Sequence, residues 1–305
     1  MKKIINVDDS TVEMRLDRWF KRHIFHVPQS LLEKRIRKGN IKVNGKKVLS
    51  SYKLRKNDKV LIKNFYFIEN KNIKSKNQYE PNKKDLDLSS KIFITNNENF
   101  VVINKPSGIA VQSGTKSKKN IIDILRNTNE FKEDSPFTVH RIDKETTGIL
   151  IVAKNRKYAQ LFTSLFRIRK IHKVYLGIVL GKLENNKGTL INNLVSYEGK
   201  KKINNKAVTH YSVIDSNNNY SLLKLTPETG RKHQIRKQLL MIGHPILGDE
   251  KYRFSQKVTN RKNFLMLHAY KINFTINNIK YKYVADLPIE FINTLTEKSL
   301  KNFLR

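Results

Sequence analysis

Apolar positions recur at helical spacing between residues 11 and 38, which predicts two short helices. The first turns Leu16, Trp19 and Phe20 to one face and leaves Arg15, Arg18, Lys21 and Arg22 on the other. The second opens on Ser30-Leu31-Leu32-Glu33, a capping-box pattern in which the Ser and Glu side chains satisfy free amides of the first turn. It stops at Gly39, a residue that readily takes the left-handed backbone of a helix end. Residues 41–48 then alternate about Asn44-Gly45, and because both turn residues tolerate positive φ a hairpin is expected there. Residues 69–91 are polar, rich in Asn and Lys and broken by Pro81, the pattern of a linker.

From Ile92 the period changes. Short apolar strands are expected at 92–95, 100–103, 137–140, 148–153, 173–180, 206–214 and 220–226, with a hairpin over 264–284. They follow one another without regular helical crossovers, so the sheet should be mixed and largely antiparallel. Two helices interrupt it. In one, Tyr158, Leu161, Phe162, Leu165 and Phe166 form an apolar stripe after Asn155; the other runs from His233 to Met241 and ends at Gly243. The expected class is α+β, with a small module over 1–68, the linker, and a sheet domain over 92–305. A chain of 305 residues is long enough for two such domains.

Charge adds a partner to this outline. The chain carries 61 Lys and Arg against 26 Asp and Glu, a formal net charge of +35, and residues 1–64 alone hold 18 basic and 6 acidic residues. Abundant Lys, Asn and Ile reflect a coding bias that enlarges the number, but such a bias does not account for the scarcity of acids. A polyanion is the natural partner, nucleic acid ahead of an anionic membrane surface. With no cysteine, disulfides, thiolate metal sites and cysteine nucleophiles are excluded. The first nine residues reach Asp8 and Asp9 before any apolar run of secretory type, and no later stretch approaches membrane-spanning length, so a soluble cytoplasmic protein is expected.

The segment richest in chemistry is His140-Arg141-Ile142-Asp143-Lys144-Glu145-Thr146-Thr147-Gly148-Ile149-Leu150, a charged loop that runs straight into an apolar strand. An aspartate in such a place, taken alone, is a turn residue or a surface ion pair as readily as a reactive group. As a string, however, it resembles the His-Arg-Leu-Asp-x-x-Thr-Ser-Gly-Leu-Leu motif of the RluA-type pseudouridine synthases. Lys173-Val174-Tyr175-Leu176-Gly177 resembles that family's second motif, and Thr229-Gly230-Arg231-Lys232-His233-Gln234-Ile235-Arg236 its third. Gly243-His244-Pro245-Ile246-Leu247-Gly248-Asp249, with Leu267-His268-Ala269, resembles its tail, and the order is the family's order. The beginning of the chain resembles the S4 RNA-binding domain through Leu16-Asp17, Ser30, Ile36, Gly39, Ile41, Val43-Asn44-Gly45 and Asp58-Lys59-Val60. The RluC/RluD branch, which modifies large-subunit ribosomal RNA, is the nearest in pattern.

The resemblance implies an enzyme that breaks the ribose–N1 bond of uridine, turns the uracil and joins C5 to the same sugar carbon. Neither electrons nor groups are exchanged with another molecule, so no cofactor and no metal are expected. Asp143 matches the catalytic carboxylate, as nucleophile or as base. A carboxylate among apolar strands needs a nearby cation to stay charged; Arg236 is the candidate, with Arg231 second, and phosphate contact is the other reading of both. Tyr175 matches the ring that stacks on the extruded base, and Arg141 could occupy the gap left behind or clamp a phosphate. His140 and His233 are read as structural hydrogen-bonders. Thr147 stands where Ser is commoner and Ile142, Ile149 and Ile151 replace Leu, none of which removes a reactive group. Through the S4-like start, Arg15, Arg18, Lys34, Arg35 and Lys38 are expected to meet RNA alongside Arg141 and Arg231, with a monomer acting on ribosomal RNA. The reading from another class is a non-catalytic RNA-binding or ribosome-assembly factor that keeps the fold.

Overall fold

A computed structural model of the chain describes residues 2–8, 11–24, 27, 29–63, 79–113, 118–132, 134–198, 201–254 and 263–301. The chain divides into two compact units, Met1–Lys74 and Ser75–Arg305.

The first unit contains β1 (Lys2–Asn6), α1 (Leu16–His23), α2 (Gln29–Arg37), β2 (Ile41–Val43) and β3 (Lys59–Lys63), its strands paired antiparallel in the order β1-β3-β2. Leu16, Trp19 and Phe20 of α1 and Leu32 and Ile36 of α2 are buried against Ile41, Val43, Leu54, Val60 and Ile62. The helix end at Gly39 forms as the sequence suggests: φ is +77°, the Gly39 amide donates to the Ile36 carbonyl and the Asn40 amide to the Arg35 carbonyl. Two details differ. The second helix starts at Gln29, so Ser30 lies inside it, and Glu33 accepts from Gln29 Nε2 (2.8 Å) in place of a capping box. The Asn44-Gly45 turn forms with both φ positive, but only a single bridge, Val43 to Lys46, follows it, and β2 takes β3 as its neighbour. The turn is held to that strand by its side chain: Asn44 donates to the buried Asp58 carboxylate (2.7 Å) and accepts from the Lys59 amide (2.8 Å).

In the second unit come α3 (Lys83–Ser90), β4 (Phe93–Asn96), β5 (Phe100–Lys105), α4 (Ile121–Leu125), β6 (Phe137–Thr138), β7 (Thr147–Ala153), α5 (Arg156–Arg167), β8 (His172–Leu180) and β9 (Lys187–Glu198). They are followed by β10 (Lys201–Ser216), β11 (Tyr220–Pro227), α6 (Gln234–Met241), β12 (Leu267–Ile276), β13 (Ile279–Val284) and α7 (Ile289–Glu297). The linker expected over 69–91 is corrected at its end: 69–78 lie outside the described residues, but 83–90 form α3, capped by Asn82 and Asp85 through a reciprocal pair of bonds. The polar composition that suggests a linker is here an exposed helix face and its cap.

The sheet runs β4-β5-β7-β12-β8-β11-β10-β9, with β13 added to β12 and β6 to β7. Every pairing is antiparallel except β7 with β12, where His268 and Ala269 lie beside Thr147 and Gly148. Gly148 makes that approach possible: at φ +104°, a side-chain carbon would collide with the Ala269 carbonyl. All seven residues of β7 are buried. Ile149 and Ile151 face α5 through Phe162, whereas Leu150 and Val152 face the α4 side through Ile121 and Leu125. A third core joins β8 and β11 to α6 and α7 through Leu176, Leu223, Leu239 and Phe291. The strand β9 and the helices α4 and α7 had no sequence expectation. In β9 polar and apolar residues do not alternate cleanly, because it is an edge strand with Ile191 and Val195 exposed.

Candidate active site

Burying β7 on both faces forces its charged entrance, residues 140–146, to the end of the sheet, where it meets β8 and the start of α6. A cavity of about 730 Å³ opens there, lined by Asp143 and Thr146, by Lys173 and Tyr175 of β8, by the β11–α6 loop and by the first turn of α6. The three motifs that are far apart in the chain thus share one wall.

The strand-to-helix loop folds around one amide. Gln234 Oε1 accepts from the Thr229 hydroxyl (2.7 Å) and the Arg231 amide (3.0 Å), and its Nε2 donates to the Val208 carbonyl (3.1 Å) and Thr209 Oγ1 (2.9 Å). His233 takes a left-handed φ of 53° and ends the loop as the cap of α6. This arrangement sends Arg236 inward. Its Nε and Nη2 donate to the two oxygens of Asp249 (2.6 and 2.8 Å), whose side chain is fully buried, and its Nη1 reaches Asp143 Oδ2 at 3.3 Å. Burial disfavours the charge on Arg236, but the hydrogen bonds and charge of Asp249, joined by Asp143, outweigh it and hold the guanidinium above its ordinary range. Asp143 is the less buried of the two acids, at 22 % side-chain exposure, so it alone faces the cavity.

Beside this pair, Glu145 Oε2 lies 3.8 Å from Arg236 Nη1. His233 Nε2 lies 3.7 Å from Asp143 Oδ1 and its Nδ1 meets the Tyr252 hydroxyl at 2.8 Å; burial lowers its pKa, with Asp143 opposing. The Tyr252 ring also covers the Arg236 guanidinium, 5.1 Å away. Burial, then the Asp143 charge, pushes the Tyr175 phenol above its ordinary range, so it presents an uncharged ring to the cavity. Behind the loop, the buried Lys105 ammonium donates to the carbonyls of Pro106, Ile109 and Lys144 (2.7, 2.9 and 3.1 Å). Burial brings Lys105 down to about 7.

The structure therefore brings Asp143, Arg236 and Tyr175 to one cavity, and of the two candidate arginines it is Arg236 that touches Asp143. Arg231 lines the mouth instead, its Nε donating to the Lys206 carbonyl (3.3 Å), and Arg141 lines the same cavity exposed. His140 accepts the Ile151 amide on Nε2 (2.8 Å) and stacks on Phe166, a structural place. Sequence reasoning missed three supporting groups: Asp249, Tyr252 and Lys105. Asp249 lies within a motif that the resemblance covers, but nothing in its spacing ties it to Arg236. In the first unit, Arg18, Lys34 and Lys38 are exposed and Arg35 is half-buried. Arg15 is engaged by the buried Asp17 through two bonds (3.1 and 2.7 Å). Among the described residues no group of His, Asp and Glu is arranged to hold a metal ion, and no helix is long and apolar enough to cross a membrane.

The model for RNA pseudouridylate synthases matches residues 99–241, and the S4 domain model matches residues 14–60. The chain is 33% identical over 308 residues to a ribosomal large subunit pseudouridine synthase C of Rickettsia conorii, covering 96% of this chain and 100% of that one. It is 33% identical over 284 residues to the protein of the same name from Vibrio vulnificus, covering 90% and 88%. Among solved structures it is similar to human RNA pseudouridylate synthase domain containing 4, with a TM-score of 0.62 and 26% identity over 72% of this chain and 98% of that one.

Proposed function

Since this chain belongs to the RNA pseudouridylate synthase family, we propose that it isomerises specific uridines of large-subunit ribosomal RNA to pseudouridine, with Asp143 as the catalytic carboxylate. The reaction breaks the C1′–N1 bond and forms C1′–C5; C5 gives up its proton and N1 gains one, so nothing enters or leaves overall. The work left to the protein is to hold one carboxylate against the nucleoside and to keep the freed uracil in place.

The observation that carries this reading is the Asp143–Arg236 pair, 3.3 Å apart, with the arginine locked from behind by Asp249. One carboxylate is buried and fully used in orientation, while the other is presented to the cavity. Tyr175 serves as the stacking face for the extruded base, a contact worth about 1–3 kcal/mol, and Arg141 takes the space the base vacates or grips a phosphate. Extrusion itself costs roughly a few kcal/mol, which the cations at the mouth help to recover. Arg18, Lys34, Arg35 and Lys38 of the S4 unit, with Arg15 and Arg231, are the further RNA contacts. The enzyme acts as a monomer in the cytoplasm and needs no cofactor.

The test is a map of pseudouridine in unmodified large-subunit RNA after incubation with the wild-type protein and with Asp143→Asn. We expect the variant to bind the RNA and to leave its uridines unchanged, since the amide neither attacks nor takes a proton. Equal maps from the two proteins would refute the role of Asp143.

A further inference from the structure

One basic cluster at the cavity mouth takes no part in the chemistry of Asp143 and Arg236. The helix α5 ends at Arg167, and the chain turns through Ile168, Arg169 and Lys170 into β8, whose second residue is Lys173. Arg167, Arg169 and Lys173 all line the cavity. They come from one continuous stretch, the last turn of α5, the connecting loop and the start of β8, which borders the cavity.

Three features set this cluster apart from an ordinary solvated basic face. Among the described residues none of the three makes an ion pair with an acid. Glu228, an acid that also lines the cavity and feels the charge of Arg169, is bonded to His210 Nε2 at 2.7 Å. Lys173 is half-buried, and burial followed by the charge of Arg169 lowers its pKa, so two like charges are held close enough to repel. Finally, Arg169 sits in left-handed backbone, φ 59°, at the helix end where glycine is the unstrained choice. A cation at the end of α5 also complements the helix dipole, which accounts for Arg167. It does not account for Lys173 on the strand or for Arg169 beyond the last turn.

The site's position says what it would hold. Residues two apart on a strand share a face, so Lys173 and Tyr175 project together, about 6.6 Å apart along β8, a separation on the scale of one nucleotide. We propose that Arg167, Arg169 and Lys173 form a seat for a backbone phosphate of the RNA beside the target uridine, positioning the strand while Tyr175 receives the base. The inference rests on the reading of the chain as an RNA-modifying enzyme. It gives the α5–β8 turn a role in the same opening that Arg231 and Lys232 of the β11–α6 loop also line.

The experiment uses the full chain and unmodified large-subunit RNA. Arg167→Gln with Arg169→Gln replaces two exposed side chains, and Arg167→Lys with Arg169→Lys keeps their charge. Affinity is measured over a salt series, together with kcat and KM for pseudouridine formation. In the glutamine variant the slope of log affinity against log salt should become shallower by about 0.7 for each single-strand phosphate that the protein no longer neutralises. KM should rise several-fold, with kcat falling far less, and the lysine variant should recover most of the slope. An unchanged slope overturns the phosphate seat, as does a lysine variant as impaired as the glutamine one, which would mean a structural role for these arginines. If the wild-type protein forms no pseudouridine, the enzymatic reading fails separately, and the salt slopes of the variants still decide whether the seat exists.

Discussion

At the scale of residues the site is a division of labour between two carboxylates that share one guanidinium. Asp249, with no exposed side-chain area, uses both oxygens on Arg236 and also accepts the amides of Lys251 and Tyr252 at 2.9 Å each. Asp143 takes the one remaining nitrogen at longer range. Replacing Asp249 by Asn would leave a buried arginine with only the more exposed Asp143 and Glu145, at 3.3 and 3.8 Å, and removing one partner of a buried pair costs about 3–5 kcal/mol. We expect Asp249→Asn to lower the urea midpoint of the second unit and to reduce kcat even where the protein is folded, because the cation beside Asp143 loses its anchor; denaturation curves and single-turnover rates measure the two effects separately. Asp143 and Arg236 were legible as motif positions. Their anchor was not, since Asp249 and Arg236 are 13 residues apart and Asp143 lies 93 residues from Arg236, and a pairing across such distances is set by how strands and helices pack.

At the scale of elements, β7 is the member on which the site hangs, and two neutral histidines tie it down. His140 accepts the Ile151 amide within the strand. The fully buried His268 of β12 faces the Ala285 carbonyl with Nε2 (3.3 Å), so Nε2 carries the proton and Nδ1 accepts the Thr147 hydroxyl (2.8 Å). Burial holds His140 at about 3 and His268 at about 4. Both are depressed relative to an unfolded imidazole near about 6.5. The unfolded chain therefore takes up protons first as pH falls, and the stability these residues contribute is full above about 6.5 and is lost progressively as pH falls towards 4 and 3. The denaturant midpoint should decline from pH 7 to pH 4, and Thr147→Val with His268→Phe should make that decline less steep; an identical slope in the variant would remove His268 from the explanation. The strand itself was plain in the sequence as an apolar run. Its parallel neighbour was not, because a run buried on both faces carries no mark of which strand lies beside it.

For the whole molecule the charge of +35 matters through where it is placed. The first unit is a compact body with its own core, and the exposed side chains of Arg18, Lys34 and Lys38, unlike that of Arg15, make no ion pair with Asp17. Substituting these three by Gln should flatten the salt dependence of RNA affinity while leaving the thermal transition of the protein in place, since surface changes of this kind cost within about 0.5 kcal/mol; binding isotherms over a salt series decide it. By itself the chain's order of residues determined what is local: the helical stripe of α5, the left-handed stop at Gly39, the motif strings and the excess of cations. Those features are written over a few neighbouring positions, where spacing and residue type suffice. Only the tertiary structure decided which arginine meets Asp143, that Asp249 stands behind it, that Lys105 binds three carbonyls beneath the loop, and that β9 closes the sheet. Each of these depends on segments distant in sequence being brought together by burial, and hydrophobic burial is non-directional, so the pattern of apolar residues calls for a core without specifying its partners.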